Sequence, residues 1–145
     1  MNACIRAATI EDISAILAIE RETASAAHWN TAQYEARTSQ GHLLVAERGG
    51  TICGFVCANV VAGEWEIENV VVSQAARRQS VASELLAELL KQWRGSAATR
   101  VLLEVRDSNF PARRLYEKLG FRQVGRRSGY YQNPAEDAVL YSLDE

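Results

Sequence analysis

The chain has 145 residues, of which 48% are hydrophobic and 23% charged. A chain of this length buries about two-thirds of its unfolded surface in one core, which predicts a single domain over residues 1–145 and excludes disordered, collagen-like and disulfide-scaffold proteins. No apolar run reaches the roughly 20 residues that span a bilayer, and the N-terminus lacks a secretory pattern, so we expect a cytoplasmic protein with no membrane partner.

In chain order, the sequence of the first half of the chain predicts two helices and four strands. Thr9 caps a helix whose apolar residues recur with a 3.6-residue period, and Asn30 opens a second, short helix. Gly49-Gly50 predict a hairpin turn between two strands. A later strand passes from half-exposed to fully buried at Val70-Val71-Val72. The predicted strands cover residues 3–8, 43–48, 51–62 and 64–73.

The second half predicts two helices and three more strands. A leucine-rich stripe at helical spacing runs from Val81 to Trp93. Asn109 caps a further helix that ends at Gly120. Tyr130 and Tyr131 fall in the connection between the last two strands. The predicted strands are residues 99–106, 121–127 and 138–143. Helices alternating with strands predict an α/β fold, a mixed central sheet of about seven strands with flanking helices.

Charge is uneven along the chain, although the net charge is only −2. Residues 1–76 carry −5, residues 77–127 carry +7 and residues 128–145 carry −4. This pattern fits a polyanionic ligand bound by the middle of the chain, and solvated helix faces are the simpler alternative. A nucleic acid partner is not expected, because the basic residues do not interleave with aromatic ones.

The cysteines and histidines predict neither a disulfide nor a metal site. On one strand, Cys53 and Cys57 would lie about 13 Å apart, which is beyond disulfide reach. Reduced thiols are typical of a cytoplasmic protein. Neither His28 nor His42 stands at ligand spacing from a cysteine, so no metal is expected.

Four segments of the chain form a recognisable set: ARRQSVA (76–82), LEVRDSN (103–109), ARRLYEKLGF (112–121) and the tail RRSGYYQNPAEDA (126–138). They resemble signatures of the GNAT superfamily of N-acetyltransferases, and the element order matches over the whole length. The last three segments together are similar to its RimI branch, the ribosomal-protein-alanine N-acetyltransferases. The resemblance implies a splay between the two central strands and acetyl transfer from acetyl-CoA, as co-substrate, to a protein N-terminal amine. The implied acceptor is the N-terminal alanine of a small-subunit ribosomal protein, and the implied state is a monomer or weak dimer.

The resemblance places the cofactor on the valine strand and the turn that follows it. Free N–H groups and the positive dipole at a helix N-terminus suit the phosphates of CoA, and a valine-strand N–H would stabilise the thioester oxyanion. Ser80 replaces the first glycine of the family loop; its Cβ crowds the ligand, yet its hydroxyl can donate to it, so binding should survive. An ordinary exposed loop is the alternative. The expected cofactor-binding residues are Val70, Val71, Val72, Arg77, Arg78, Gln79, Ser80, Val81, Ala82, Ser83 and Asn109.

Acetyl transfer also needs a base for the amine and an acid for the thiolate. Glu104 is the candidate base because it points away from the apolar face of its strand, toward the expected splay; an ion-paired surface glutamate is the alternative. Tyr116 is the candidate acid, with a core tyrosine as the alternative. Asn109 is a helix cap, to which the resemblance adds a cofactor contact. The expected acceptor-binding residues are Tyr130, Tyr131 and Asp137.

Two other functions fit the same sequence. An enzyme of the same fold could acetylate a small amine, in a closed acidic pocket rather than an open groove. A non-catalytic CoA-binding module is the second alternative, suggested by Ser80. A protein α-amine has a pKa of about 7.7–8.0 against about 10.4 for lysine, which makes the N-terminal amine the easier nucleophile at neutral pH.

Overall fold

A computed structural model describes residues 3–23, 28–77 and 80–144. Within these ranges the chain forms seven strands and four helices in the order that the sequence predicts. Arg78 and Gln79, both expected in the phosphate loop, lie outside the described residues. The elements are β1 (Cys4–Ala7), α1 (Ile13–Glu22), α2 (Thr31–Gln40), β2 (Leu43–Arg48), β3 (Thr51–Val61), β4 (Glu64–Val72), α3 (Val81–Arg94), β5 (Arg100–Arg106), α4 (Phe110–Lys118), β6 (Arg122–Tyr131) and β7 (Glu136–Asp144).

The strands form one mixed sheet in the order β1-β2-β3-β4-β5-β7-β6, which confirms the predicted fold class. β4 and β5 are parallel, whereas β5 with β7 and β6 with β7 are antiparallel. The β4–β5 ladder runs from the pair Glu64–Arg100 to the pair Ile67–Leu103. It ends there although β4 continues to Val72. This is the point at which the splay is expected, and the splay itself stays a prediction.

The chain divides into two compact units. The first, Met1–Asn59 with Glu68–Ser96, contains β1, β2, most of β3, the end of β4 and the helices α1, α2 and α3. The second, Val60–Ile67 with Ala97–Glu145, contains the start of β4 together with β5, α4, β6 and β7. The expectation of a single domain stays a prediction.

The core of the first unit contains only part of the valine run. Val71 is 2% exposed and packs with a cluster of apolar side chains from α1, α2, β2 and β3. Val70 and Val72 are only half-buried, so the prediction of a fully buried run is wrong. Successive side chains of a strand point to opposite faces, and β4 keeps this alternation from Trp65 to its end. One face of the strand therefore reaches the core and the other is half covered.

A buried polar network joins α1, α2 and β4 inside the first unit. The Glu20 carboxylate is 2% exposed. It accepts hydrogen bonds from the Tyr34 hydroxyl and, at 3.0 Å, from the Trp29 backbone N–H. Asn69 donates to the Tyr34 hydroxyl at 3.3 Å. Burial, followed by Glu20, raises the pKa of Tyr34 well above its usual value, so this phenol stays protonated and keeps donating.

In the second unit, β6 is longer than predicted. It continues to Tyr131, which pairs with Glu136 of β7 after a register shift. Tyr130 and Tyr131 therefore lie on a strand, and the prediction that they lie in a connection is wrong. A bulge lets a ladder resume beyond an irregular stretch, which a period-2 pattern does not reveal. Among the described helices, none combines the length and the apolar character needed to cross a bilayer.

Candidate active site

The first turn of α3 has the features that an anion site requires. Ser80 is its N-cap with φ 64° and ψ 15°, in the left-handed region that glycine adopts most easily. The Ser80 side chain makes no capping hydrogen bond, so it leaves the N–H groups of the first turn unoccupied. The helix is anchored by buried leucines that follow at helical spacing. The first turn of α3 can therefore offer backbone N–H groups to an anion, and the binding of CoA phosphates by residues 80–83 stays a prediction.

Close packing at Gly54 of β3 holds the end of β4 against the start of α3. A Cβ at this position would lie 3.1 Å from the Val71 carbonyl oxygen and 3.2 Å from Cγ1 of Val81. Such distances are tighter than most Cβ contacts, so a larger residue would require these segments to move slightly apart. Two of the expected cofactor residues, Val71 and Val81, are thus held beside the same strand.

Arg77 is engaged within the protein. Its Nε donates to the Val72 carbonyl oxygen at 3.2 Å, and its Nη2 donates to Thr23 Oγ1 at 3.0 Å. The sequence predicts Arg77 as a phosphate ligand, and in that role its guanidinium would leave both partners. Both present partners are uncharged, whereas a phosphate is an anion, so a bidentate ion pair with phosphate would offset the loss of these two bonds.

Replacing Ser80 with glycine is expected to raise the free energy of unfolding by up to about 1 kcal/mol. The left-handed conformation costs a residue with a Cβ roughly 1–2 kcal/mol, and the greater freedom of glycine in the unfolded chain offsets part of this gain. CoA binding should tighten or stay unchanged. Denaturant titration and calorimetry measure the two effects.

The matched variant Ser80→Ala keeps the Cβ and removes only the hydroxyl. A clear loss of CoA affinity in both variants would contradict the expectation and identify the hydroxyl as a phosphate ligand.

The candidate base Glu104 lies in the second unit, on β5. Its neighbours Leu103 and Val105 are buried, as the alternation of the sequence predicts, while the Glu104 side chain is 22% exposed. Its Oε1 lies 3.2 Å from Nε of Arg127 on β6. Glu104 is therefore an ion-paired glutamate that is largely covered, with a remaining opening to solvent.

The tyrosines of β6 lie near this carboxylate. The negative charge of Glu104 is the main reason why the pKa of Tyr130 is raised. Burial, followed by the charge of Glu104, raises the pKa of Tyr131 to about 12. Burial, followed by the electrostatic effect of Tyr131, raises the pKa of Tyr116 to about 12. The structure thus brings the predicted base, the predicted acid and two predicted acceptor residues into one electrostatic cluster.

The Tyr116 hydroxyl can donate a hydrogen bond, and its surroundings bear on its predicted role. The side chain is buried on α4, with its ring 5.8 Å from that of Phe121 and 6.2 Å from that of Tyr141. No hydrogen bond joins its hydroxyl to any residue that the structure describes. A phenol with a pKa near 12 stays protonated at neutral pH. Tyr116 is therefore protonated at neutral pH, and its role as the acid for the leaving thiolate stays a prediction.

Two other predicted site residues have structural partners. Asn109 accepts a hydrogen bond from the Ala112 N–H at 3.3 Å, which confirms its role as the cap of α4. Its contact with the cofactor stays a prediction. Asp137 accepts from the Gly129 N–H at 2.9 Å and lies 3.8 Å from Arg126. Asp137 therefore stabilises the irregular part of β6 that leads to the tyrosines, and its contact with the acceptor also stays a prediction.

The sequence analysis missed two arginines of this cluster. Arg127 pairs with Glu104. Arg106 lies on the same face of β5 as Glu104 and pairs with Glu136 at 3.2 Å. It also donates to two carbonyl groups of the β6–β7 turn, at 2.9 and 3.0 Å, and its guanidinium lies 4.6 Å from the centre of the Tyr131 ring. The sequence signal that could have identified Arg106 is the alternation of side chains along its strand, which places Arg106 on the same face as Glu104.

Comparison with known proteins gives one consistent result. A family model described as the acetyltransferase (GNAT) family matches residues 10–121. The ribosomal protein bS18-alanine N-acetyltransferase of Escherichia coli K12 is 30% identical over 135 residues, which are 91% of this chain and 90% of that protein. The N-alpha-acetyltransferase RimI of Mycobacterium tuberculosis is 33% identical over 114 residues, 76% of this chain and 70% of that protein. The crystal structure of the ribosomal-protein-S18-alanine N-acetyltransferase from Escherichia coli has a TM-score of 0.86 at 26% identity, covering 98% of this chain and 93% of that one.

Proposed function

The chain belongs to the acetyltransferase (GNAT) family and is an acetyl-CoA-dependent N-acetyltransferase, and from this premise we propose that it acetylates the N-terminal α-amine of a protein. The acceptor we propose is the N-terminal alanine of a small-subunit ribosomal protein. The relatives named after bS18-alanine acetylation support this choice. So does Tyr130, which is 48% exposed beside the candidate base, because an open site admits a peptide.

The observation that carries the mechanism is the cluster of Glu104, Tyr131 and Tyr116. Glu104 accepts a proton from the acceptor ammonium, directly or through one water, and the neutral amine then attacks the thioester carbonyl carbon. The carbon–nitrogen bond forms and the carbon–sulfur bond breaks. Tyr116 donates its proton to the departing sulfur and is reprotonated by the extra proton that the acylated nitrogen releases, while Glu104 returns its own proton to solvent. Glu104 raises the pKa of Tyr131, and Tyr131 raises the pKa of Tyr116, so the three groups interact electrostatically.

On the cofactor side, residues 70–72 and 77–83 would bind acetyl-CoA, which supplies the activated acetyl group. The first turn of α3 offers N–H groups to the phosphates, and Arg77 adds a full charge. Val70 and Val72, both half-buried, have backbone groups suited to the pantetheine amides. Among the described residues, no group of three side chains could hold a metal ion.

We also propose that residues 1–145 form one domain and that the protein is located in the cytoplasm.

Purified protein with acetyl-CoA tests the proposed acceptor. We expect a peptide with a free N-terminal alanine to gain one acetyl group while free thiol is released in equal amount. The matched control is the same peptide with its N-terminus blocked and an internal lysine retained, which should not react at neutral pH because lysine is mostly protonated there. Acetylation of polyamines or aminoglycosides without peptide turnover would contradict the proposal. CoA binding without any thiol release would indicate a non-catalytic module.

A further inference from the structure

We propose that Arg127 is a placeholder cation. In the free protein its guanidinium pairs with the Glu104 carboxylate, at the position that the acceptor ammonium takes during the reaction. The inference rests on the proposed function, in which Glu104 receives the proton of that ammonium. It assigns to Arg127 a role in acceptor binding, because each acceptor must replace one cation by another on the same carboxylate.

Arg127 is the more exposed partner of its ion pair with Glu104. The Arg127 side chain is 55% exposed, whereas the Glu104 side chain is 22% exposed, and Nε of Arg127 lies 3.2 Å from Oε1 of Glu104. An ammonium that pairs with this oxygen atom therefore competes with the guanidinium.

The Arg127 guanidinium has a second position available beside it. Its central carbon lies 5.3 Å from the centre of the Tyr130 ring, within the range of a cation–π contact. Tyr130 is itself half-exposed. When an ammonium takes the carboxylate, the guanidinium can remain on this ring, so the displaced charge keeps a favourable contact.

The neighbouring arginines are held more firmly. Arg126 lies 3.0 Å from Asp107 and 3.8 Å from Asp137, and Arg106 combines a carboxylate with two turn carbonyls. For Arg127, the described part of the chain provides a single carboxylate, Glu104. An ion pair of this exposure contributes little to stability, and an incoming ammonium can make the same contact with the carboxylate oxygen atoms.

The variant Arg127→Gln tests the proposal in steady-state kinetics with the alanine peptide at saturating acetyl-CoA. Because no cation has to be displaced, KM for the peptide should fall about two- to fivefold, and this fall should exceed any change in kcat. Arg127→Lys restores a cation and should return KM toward the wild-type value. The matched control is Arg122→Gln, the same change at an exposed position of β6, which should leave KM unaltered.

A titration of Tyr130 gives a readout that does not need activity. The charge of Arg127 lowers the pKa of Tyr130 in opposition to Glu104, so Arg127→Gln should raise the pKa of Tyr130 in an ultraviolet titration, with Tyr130→Phe identifying the signal. A Tyr130 titration identical in the wild type and Arg127→Gln overturns the placeholder, as does a KM that rises or stays constant in that variant. Failure of the wild-type protein to acetylate the peptide would refute the proposed function instead.

Discussion

Replacing Glu104 with glutamine is expected to lower kcat for a peptide acceptor by about 100-fold or more at pH 7, the usual contribution of a general base. Glutamine keeps the shape of the side chain and removes its ability to accept the proton. Since the Glu104 side chain is 22% exposed and pairs with a half-exposed Arg127, the variant should fold normally.

The deficit should be smaller at pH 9 than at pH 7, by up to about tenfold. An N-terminal amine with a pKa of about 7.7–8.0 is mostly protonated at pH 7 and mostly neutral at pH 9. At the higher pH the acceptor no longer depends on Glu104 for deprotonation. Peptide turnover followed across this range, with acetyl-CoA saturating, measures the effect.

The control for this variant is Glu64→Gln, which removes a carboxylate from the same unit. Glu64 is half-buried on β4 and pairs with Arg100 at 3.5 Å, so its loss should leave the pH profile unchanged. If the wild type and Glu104→Gln gave parallel pH profiles, Glu104 would have no role as the base.

Replacing Tyr116 with phenylalanine is expected to lower kcat by about 100-fold without lowering stability. The catalytic loss follows from the missing proton donor to the leaving sulfur. Stability should be retained because the hydroxyl has no hydrogen-bond partner among the described residues, while the ring contacts with Phe121 and Tyr141 remain. Single-turnover kinetics and denaturant titration measure the two quantities.

Tyr141→Phe, a change in a neighbouring ring, is expected to lower stability and to leave turnover intact. The Tyr141 hydroxyl donates to Glu117 at 2.7 Å and accepts from Arg113 at 3.0 Å. Its removal should lower the free energy of unfolding by about 1–3 kcal/mol, since both partners are charged. Turnover should persist at temperatures where the variant is folded. Equal kinetic losses in Tyr116→Phe and Tyr141→Phe would show that Tyr116 acts through packing alone.

Local patterns in the sequence were sufficient to predict most of the helices and strands. The Asn30 and Asn109 caps, the Gly49-Gly50 turn and the leucine stripe of α3 depend on neighbours within a few residues, and all four are confirmed. The valine run is mispredicted because the cover of Val70 depends on residues far away in the chain. The length of β6 is mispredicted because Tyr131 pairs with Glu136 only after a register shift. The first helix begins at Ile13, after a 3₁₀ turn at Ile10–Asp12 that follows Thr9.

The sequence by itself determined the family, the element order and the residue types able to perform acetyl transfer, because these follow from motifs and short-range periodicity. It also placed Glu104 on the polar face of its strand, since alternation is a property of the backbone. Only the tertiary structure decided which charged side chains contact each other. The pairing of Glu104 with Arg127, and of Arg77 with the end of α1, joins residues far apart in the chain. Such contacts are set by strand register and packing, and no local pattern encodes them.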